Sequence, residues 1–156
     1  MKNLSHIVVA LLSILVLASG TPDDAQSEKN EAVEKSGIDF FEGTWQEALD
    51  ASKQTGKPIF LDAYASWCGP CKILKARVFT DERVGQFYNE NFINVAKDME
   101  KGEGRQLSRT YRVTAYPSLF FVKDDGSVIK RAVGYHNPDQ LIGLGETALA
   151  ANEIEG

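Results

Sequence analysis

The chain has 156 residues, 43% hydrophobic and 25% charged, with two cysteines, two histidines and a net charge of −5 at pH 7. These values describe one soluble globular domain and exclude collagen-like, coiled-coil and multi-domain organisations. An acidic chain offers no basic face for neutralising phosphates, which argues against nucleic-acid binding; two cysteines are too few for a disulfide-dense scaffold, or for a zinc centre unless histidines join them.

The first residues, 1–20, read as an export signal outside the fold. Lys2 precedes a largely apolar run from Ile7 to Ala18, and Ala18-Ser19-Gly20 supplies small residues before a cut after Gly20. That run makes about 18 Å of helix against a hydrocarbon core of about 30 Å, which is short for a permanent span. Residues 21–37 carry almost nothing apolar and cannot offset their own ordering entropy, so they read as a flexible acidic linker. Residues 38–152 remain as one domain large enough for a core.

Within that domain, Ile38–Phe41 is expected to form a short strand. Thr44-Trp45-Gln46-Glu47 has the form of a capping box at the start of a helix that Gly56-Lys57-Pro58 stops. Ile59–Ala65 reads as a buried strand interrupted by one acid, Asp62. A helix should begin near Cys68, with Cys71, Leu74 and Val78 on its inward stripe, break at Thr80-Asp81, and restart with Val84, Phe87 and Tyr88. Phe92–Ala96 is the next strand, and a short helix follows around Arg105–Tyr111. Ser118–Val122 and Val128–Val133 pair as a hairpin across Asp124-Asp125-Gly126. Asn137-Pro138 opens the last helix, which Gly143 and Gly145 each weaken by roughly 1 kcal/mol. The order β-α-β-α-β-α-β-β-α predicts an α/β domain: a central mixed β-sheet, its first strands parallel, flanked by helices on both faces.

Trp67-Cys68-Gly69-Pro70-Cys71-Lys72 falls between a buried strand and a helix, where residues i and i+3 share a face. The two sulfurs can close a small disulfide ring, Cys68–Cys71, or open to two thiols. Cys68 stands at the helix N-terminus, where free amides and the macrodipole stabilise a thiolate, whereas Cys71, one turn in, should be shielded. That asymmetry makes Cys68 the nucleophile toward a substrate disulfide and Cys71 the resolving thiol. Gly69 permits a close approach, and Pro70 suits a first turn because its missing N–H would be unpaired there anyway. The competing readings are a structural disulfide, which stabilises little when it closes so short a loop, and a zinc site needing two further ligands.

These residues resemble the thioredoxin family. Ile59-Phe60-Leu61-Asp62-Ala63-Tyr64-Ala65-Ser66, running into Trp67–Lys72, looks like the family's active-site strand and turn. Ala115-Tyr116-Pro117-Ser118 matches its cis-proline loop, and Gly126 and Gly134 fall where the family has glycines. The resemblance covers about residues 38–150 and implies the thioredoxin fold. It implies that Asp62 is a buried acid beneath the disulfide, its pKa raised, taking a proton from Cys71. Lys97 should neighbour that acid; Pro117 should be cis and stack on the disulfide. Tyr116 should offer its backbone to an extended substrate strand, and Trp67, with Gly69 and Pro70, should line the docking surface. The plain alternatives are a hydrogen-bonded acid at a strand edge, an exposed strand-end lysine and simple packing for Trp67; Tyr135 and His136 are expected on the surface. No metal is expected, and no cofactor beyond the cysteine pair.

The export signal, the linker, the Phe79-Thr80-Asp81 break and the enlarged Met99–Gly104 loop look more like exported members of the family. These include the C-terminal periplasmic domain of disulfide-interchange transmembrane reductases. Gly-Pro between the cysteines is the pairing of reducing members. The expected activity is therefore reduction of protein disulfides in the periplasm, or otherwise after export, by a soluble monomer. Its partners would be disulfide-containing exported proteins, apocytochrome c among them, with a membrane thiol-reductant transporter as electron donor. The alternatives are a disulfide-forming oxidase or isomerase, and a non-catalytic peptide-binding module.

Overall fold

The computed structural model describes residues 36–155; the expected signal and nearly all of the expected linker lie outside the described residues. The Thr44 hydroxyl accepts from the Glu47 N–H at 3.2 Å while the Thr44 N–H donates to the Glu47 carboxylate at 2.7 Å. This reciprocal cap starts α1 (Trp45–Thr55), which ends at Gly56. β1 (Ile59–Tyr64) follows, with five of its six residues buried. After the turn at Ser66–Cys68 comes α2 (Gly69–Ile73), continued by a π turn (Leu74–Val78) that is closed by the Phe79 N–H on the Leu74 carbonyl at 2.9 Å. The Asp81 carboxylate caps α3 (Glu82–Asn91) by accepting from Arg83 and Val84, which is why the chain breaks and restarts there.

β2 (Ile93–Asp98), α4 (Gly104–Thr110), the hairpin β3 (Ser118–Val122) and β4 (Val128–Val133), and α5 (Pro138–Glu155) complete the chain. Asn137 and Gln140 cap α5 reciprocally at 2.9 Å in each direction. Gly145 lets α5 lie close on α3: a Cβ there would meet the Phe87 ring at 2.5 Å.

The sheet order is β2-β1-β3-β4, with β1 parallel to β2 and antiparallel to β3. Side chains alternate across it. Phe60, Leu119 and Phe121 pack with Leu74, Val78, Val84, Tyr88 and Leu141 on one face; Ile59, Leu61, Ala63, Val95 and Phe120 pack with Ala48 and Leu107 on the other. Helices thus cover both faces, as expected.

The strand expected over Ile38–Phe41 is not formed. The Phe41 N–H reaches the Asn94 carbonyl of β2 at 2.7 Å, but the Asn89 side chain takes the groups that a ladder would use. Its amide oxygen accepts from the Asp39 N–H at 2.9 Å, and its nitrogen donates to the Gly37 carbonyl at 3.0 Å. A side-chain amide has replaced a strand partner, so the described sheet has four strands. Gly37, assigned above to the linker, is buried in this arrangement.

Candidate active site

β1 delivers the chain to the sheet end, and the Cys68 N–H donates to the Ala65 carbonyl at 3.0 Å, tightening the turn into α2. Cys68 is the N-cap of α2, and its sulfur accepts from the Cys71 N–H at 3.2 Å. A residue that caps with sulfur presents that sulfur to the amides that would stabilise it as a thiolate. Cys68 and Cys71 are joined as a disulfide, with Cα atoms 5.4 Å apart. Gly69 and Pro70 form an exposed lip beside it. The expected contrast in exposure is absent: Cys68 is 3% exposed and Cys71 5%. The two sulfurs thus differ by position in the helix and not by access in the oxidised form.

Behind the disulfide lies a cavity of about 450 Å³, lined among others by Phe40, Asp62, Cys71, Lys75 and Phe79. It brings Asp62 and Cys71 together. Asp62 is 5% exposed, and its Oδ1 has no hydrogen-bond partner. Burial pushes its carboxyl up to about 7, opposed in part by the charge of Lys75. Lys97 does not face this acid. Ala96 pairs with Asp62 in the β1–β2 register and Lys97 with Ala63, so strand alternation puts Lys97 on the other face of the sheet. Its ammonium donates to the Gly43 carbonyl at 2.7 Å and to the Glu103 carboxylate, which also accepts from the Trp45 N–H at the start of α1. The cation facing Asp62 comes from the π turn instead.

The Tyr116–Pro117 bond is cis and Pro117 is buried. The Pro117 carbonyl accepts from the Gly134 N–H at 2.9 Å, binding the end of β4 to this loop. The Tyr116 side chain packs on the cluster of Ala65, Cys68 and Cys71, and its backbone lies beyond the end of the β3 ladder. Trp67 is 65% exposed and meets the Tyr116 ring edge-on at 5.8 Å. Its indole N–H donates to the Glu100 carboxylate at 2.9 Å, so the enlarged loop after β2 holds the tryptophan in place. Gly104 lets that loop fold back: a Cβ there would stand 2.0 Å from the Asp98 carbonyl. Lys101 reaches Ser66 at 3.2 Å from the same loop. Tyr135 is exposed, and His136 is partly buried, a ring nitrogen 3.0 Å from the Gly134 carbonyl.

Lys75 and Glu100 were not foreseen. Lys75 had a usable signal, since it lies four residues after Cys71 and so shares its helical face; Glu100 had none. Among the described residues there is no grouping of three or more His, Cys, Asp or Glu side chains that could hold a metal ion.

A disulfide capping a helix, set over a buried acid and beside a cis-proline loop on this sheet, defines a protein of thioredoxin fold with a closed Cys-x-x-Cys pair at the helix start. The chain belongs to the thioredoxin-like domain family, whose model matches residues 45–149. It is similar to thioredoxin H2-1 of Oryza sativa subsp. japonica, 40% identical over 90 residues that cover 58% of this chain and 60% of that protein. It is also similar to the thiol:disulfide interchange protein DsbD of Pseudomonas fluorescens, 32% identical over 83 residues, 53% of this chain and 14% of that one. Among solved structures, that of a candidate disulphide-isomerase from Bacteroides thetaiotaomicron is 39% identical, covering 79% of this chain and 99% of that chain with a TM-score of 0.64. The chain thus spans less than two thirds of the two curated relatives named here.

Proposed function

We propose that this chain reduces protein disulfides after export, with Cys68 as nucleophile and Cys71 as resolving thiol. The observation that carries the reading is the division of surroundings between the two sulfurs. Cys68 caps the helix and accepts an amide hydrogen, while Cys71 shares its cavity with an acid whose pKa lies near neutrality. In the dithiol state, the Cys68 thiolate attacks one sulfur of a client disulfide. The Cys68–client bond forms, the client's S–S bond breaks, and its second sulfur leaves as a thiolate that takes a proton from solvent. Cys71 then gives its proton to Asp62 and attacks the Cys68 sulfur. The Cys68–Cys71 bond forms, the mixed disulfide breaks, and the remaining client sulfur leaves and is protonated. The client gains two electrons from the cysteine pair and two protons from solvent, which had taken up the Cys68 proton on ionisation and receives the Cys71 proton back from Asp62; no further cofactor enters.

The reducing direction is supported by what lies between the cysteines. Strong oxidants gain their potential from extra stabilisation of the reduced form, and neither Gly69 nor Pro70 carries a side-chain donor to supply it. Export is supported by the character of residues 1–20 and by likeness to a disulfide interchange protein. The clients are then exported proteins with disulfides, haem-attachment cysteines among them, and the electron donor is a membrane-embedded dithiol carrier. Likeness to the Bacteroides protein favours isomerisation as the second reading.

Trapping tests for exchange chemistry, and the reduction potential tests its direction. Cys71→Ser is expected to accumulate mixed disulfides through Cys68 in the exported compartment, whereas partner association without covalent adducts would identify a peptide-binding module. A potential at or above about −150 mV, with poor insulin reduction, would assign the protein to the oxidants and isomerases.

A further inference from the structure

Asp62 has a buried oxygen with no hydrogen-bond partner, so its charge state is set first by its burial and then by the charges that reach it through the cavity. From β2 the residue opposite it is Ala96, and from β3 it is Leu119; neither carries charge. From β1 the neighbour at the cavity wall is the Tyr64 phenol, and from the N-terminal segment it is Phe40. From the helical side come Cys71, a thiol when reduced, and two lysines, Lys72 and Lys75. Both line the wall, and the charge of Lys75 opposes the effect of burial on Asp62. Lys75 is exposed, lies four residues after Cys71 in the π turn, and lines the cavity.

We propose that Lys75 is the positioning residue of the resolving step: its charge, on the cavity that Asp62 and Cys71 also line, sets the ease with which Asp62 carries charge, and thereby the pH at which Cys71 yields its proton. The cation of the relay comes from the helix that carries the cysteines, not from the neighbouring strand, where Lys97 is turned away and bound to Glu103. The inference rests on the dithiol exchange proposed above, but its first consequence concerns Asp62 alone. A cation at this position favours the carboxylate, so removing it raises the carboxyl's midpoint further and delays the proton transfer to higher pH.

The test pairs a carbon-13 NMR titration of the Asp62 carboxyl with the pH profile of single-turnover insulin reduction. Lys75→Met is expected to move the carboxyl midpoint upward by about 0.5–1 pH unit, with the acid limb of the rate profile moving equally. Lys75→Arg should restore both, and Lys97→Met should leave both at the wild-type value. A midpoint unmoved in Lys75→Met, or moved as far in Lys97→Met, overturns the proposal. Should the wild-type chain fail to reduce insulin while the midpoint still shifts in Lys75→Met, the reducing assignment falls and the hold of Lys75 on Asp62 stands.

Discussion

Replacing Asp62 by Asn should stabilise the folded protein, and by an amount that depends on pH. Folded Asp62 keeps its proton up to about pH 7, whereas a carboxyl in the unfolded chain releases it near 3.8. Between those values the unfolded state binds fewer protons than the folded one, so the unfolding free energy falls as pH rises. The contribution is fully present below about pH 4 and is lost by the time pH has passed through about 7. A difference of about three units at 1.36 kcal/mol each sets a ceiling of roughly 4 kcal/mol, and about 2–4 is the expected loss. The Asn side chain has similar shape and no charge to desolvate, so its stability should lack this slope. Urea unfolding of the disulfide-intact proteins, followed by the fluorescence of Trp45 and Trp67, reads the difference from about pH 4 to 9. The two curves should converge at the acid end and separate toward neutrality. Parallel curves across the range would show that Asp62 is not desolvated and would remove the proton acceptor from the scheme.

Two further substitutions test the packing around the site. Gly143→Ala, where a Cβ meets nothing within 4 Å, should raise the unfolding free energy by up to about 1 kcal/mol, while Gly145→Ala, driven into Phe87, should lower it by about 1–3 kcal/mol despite the same gain in helix propensity. Equal effects at the two positions would mean that α5 does not lie on α3 as described. Glu100→Ala should cost under about 1 kcal/mol, because its bond to Trp67 is exposed, yet should shift the Trp67 emission and lower its anisotropy. An unchanged spectrum would mean that the loop does not hold the indole.

Much of the fold was legible because its signals are local. The Thr44–Glu47 capping box and the Asn137 cap before Pro138 are signals of a few residues, and both form, the second with Gln140 as a reciprocal partner that the structure adds. The break at Thr80-Asp81 is a side chain satisfying orphan amides and was equally readable. The strand expected over Ile38–Phe41 failed because apolar residues there are necessary for pairing but not sufficient. Asn89, some fifty residues away, occupies the backbone groups that a ladder would need. The cysteine pair, the buried acid and the cis-proline loop were placed in advance, but the partner of the acid was not. The family resemblance put Lys97 beside the acid, but Ala96 is the residue that pairs with Asp62, and a shift of one residue in the pairing decides which face of a sheet a side chain occupies.

The sequence alone thus determined the reactive groups and the element that bears them: two cysteines one helical turn apart, at the mouth of a helix that follows a buried strand. Their chemistry depends on spacing within a few residues, which the covalent chain dictates. Tertiary structure decided what surrounds them. The register of β1 against β2 turned Lys97 away, the π turn put Lys75 on the wall of the cavity that Asp62 lines, and the loop after β2 tied Glu100 to Trp67. Each of these depends on how segments distant in sequence meet, and a charge or hydrogen bond acts only across distances that such meetings create.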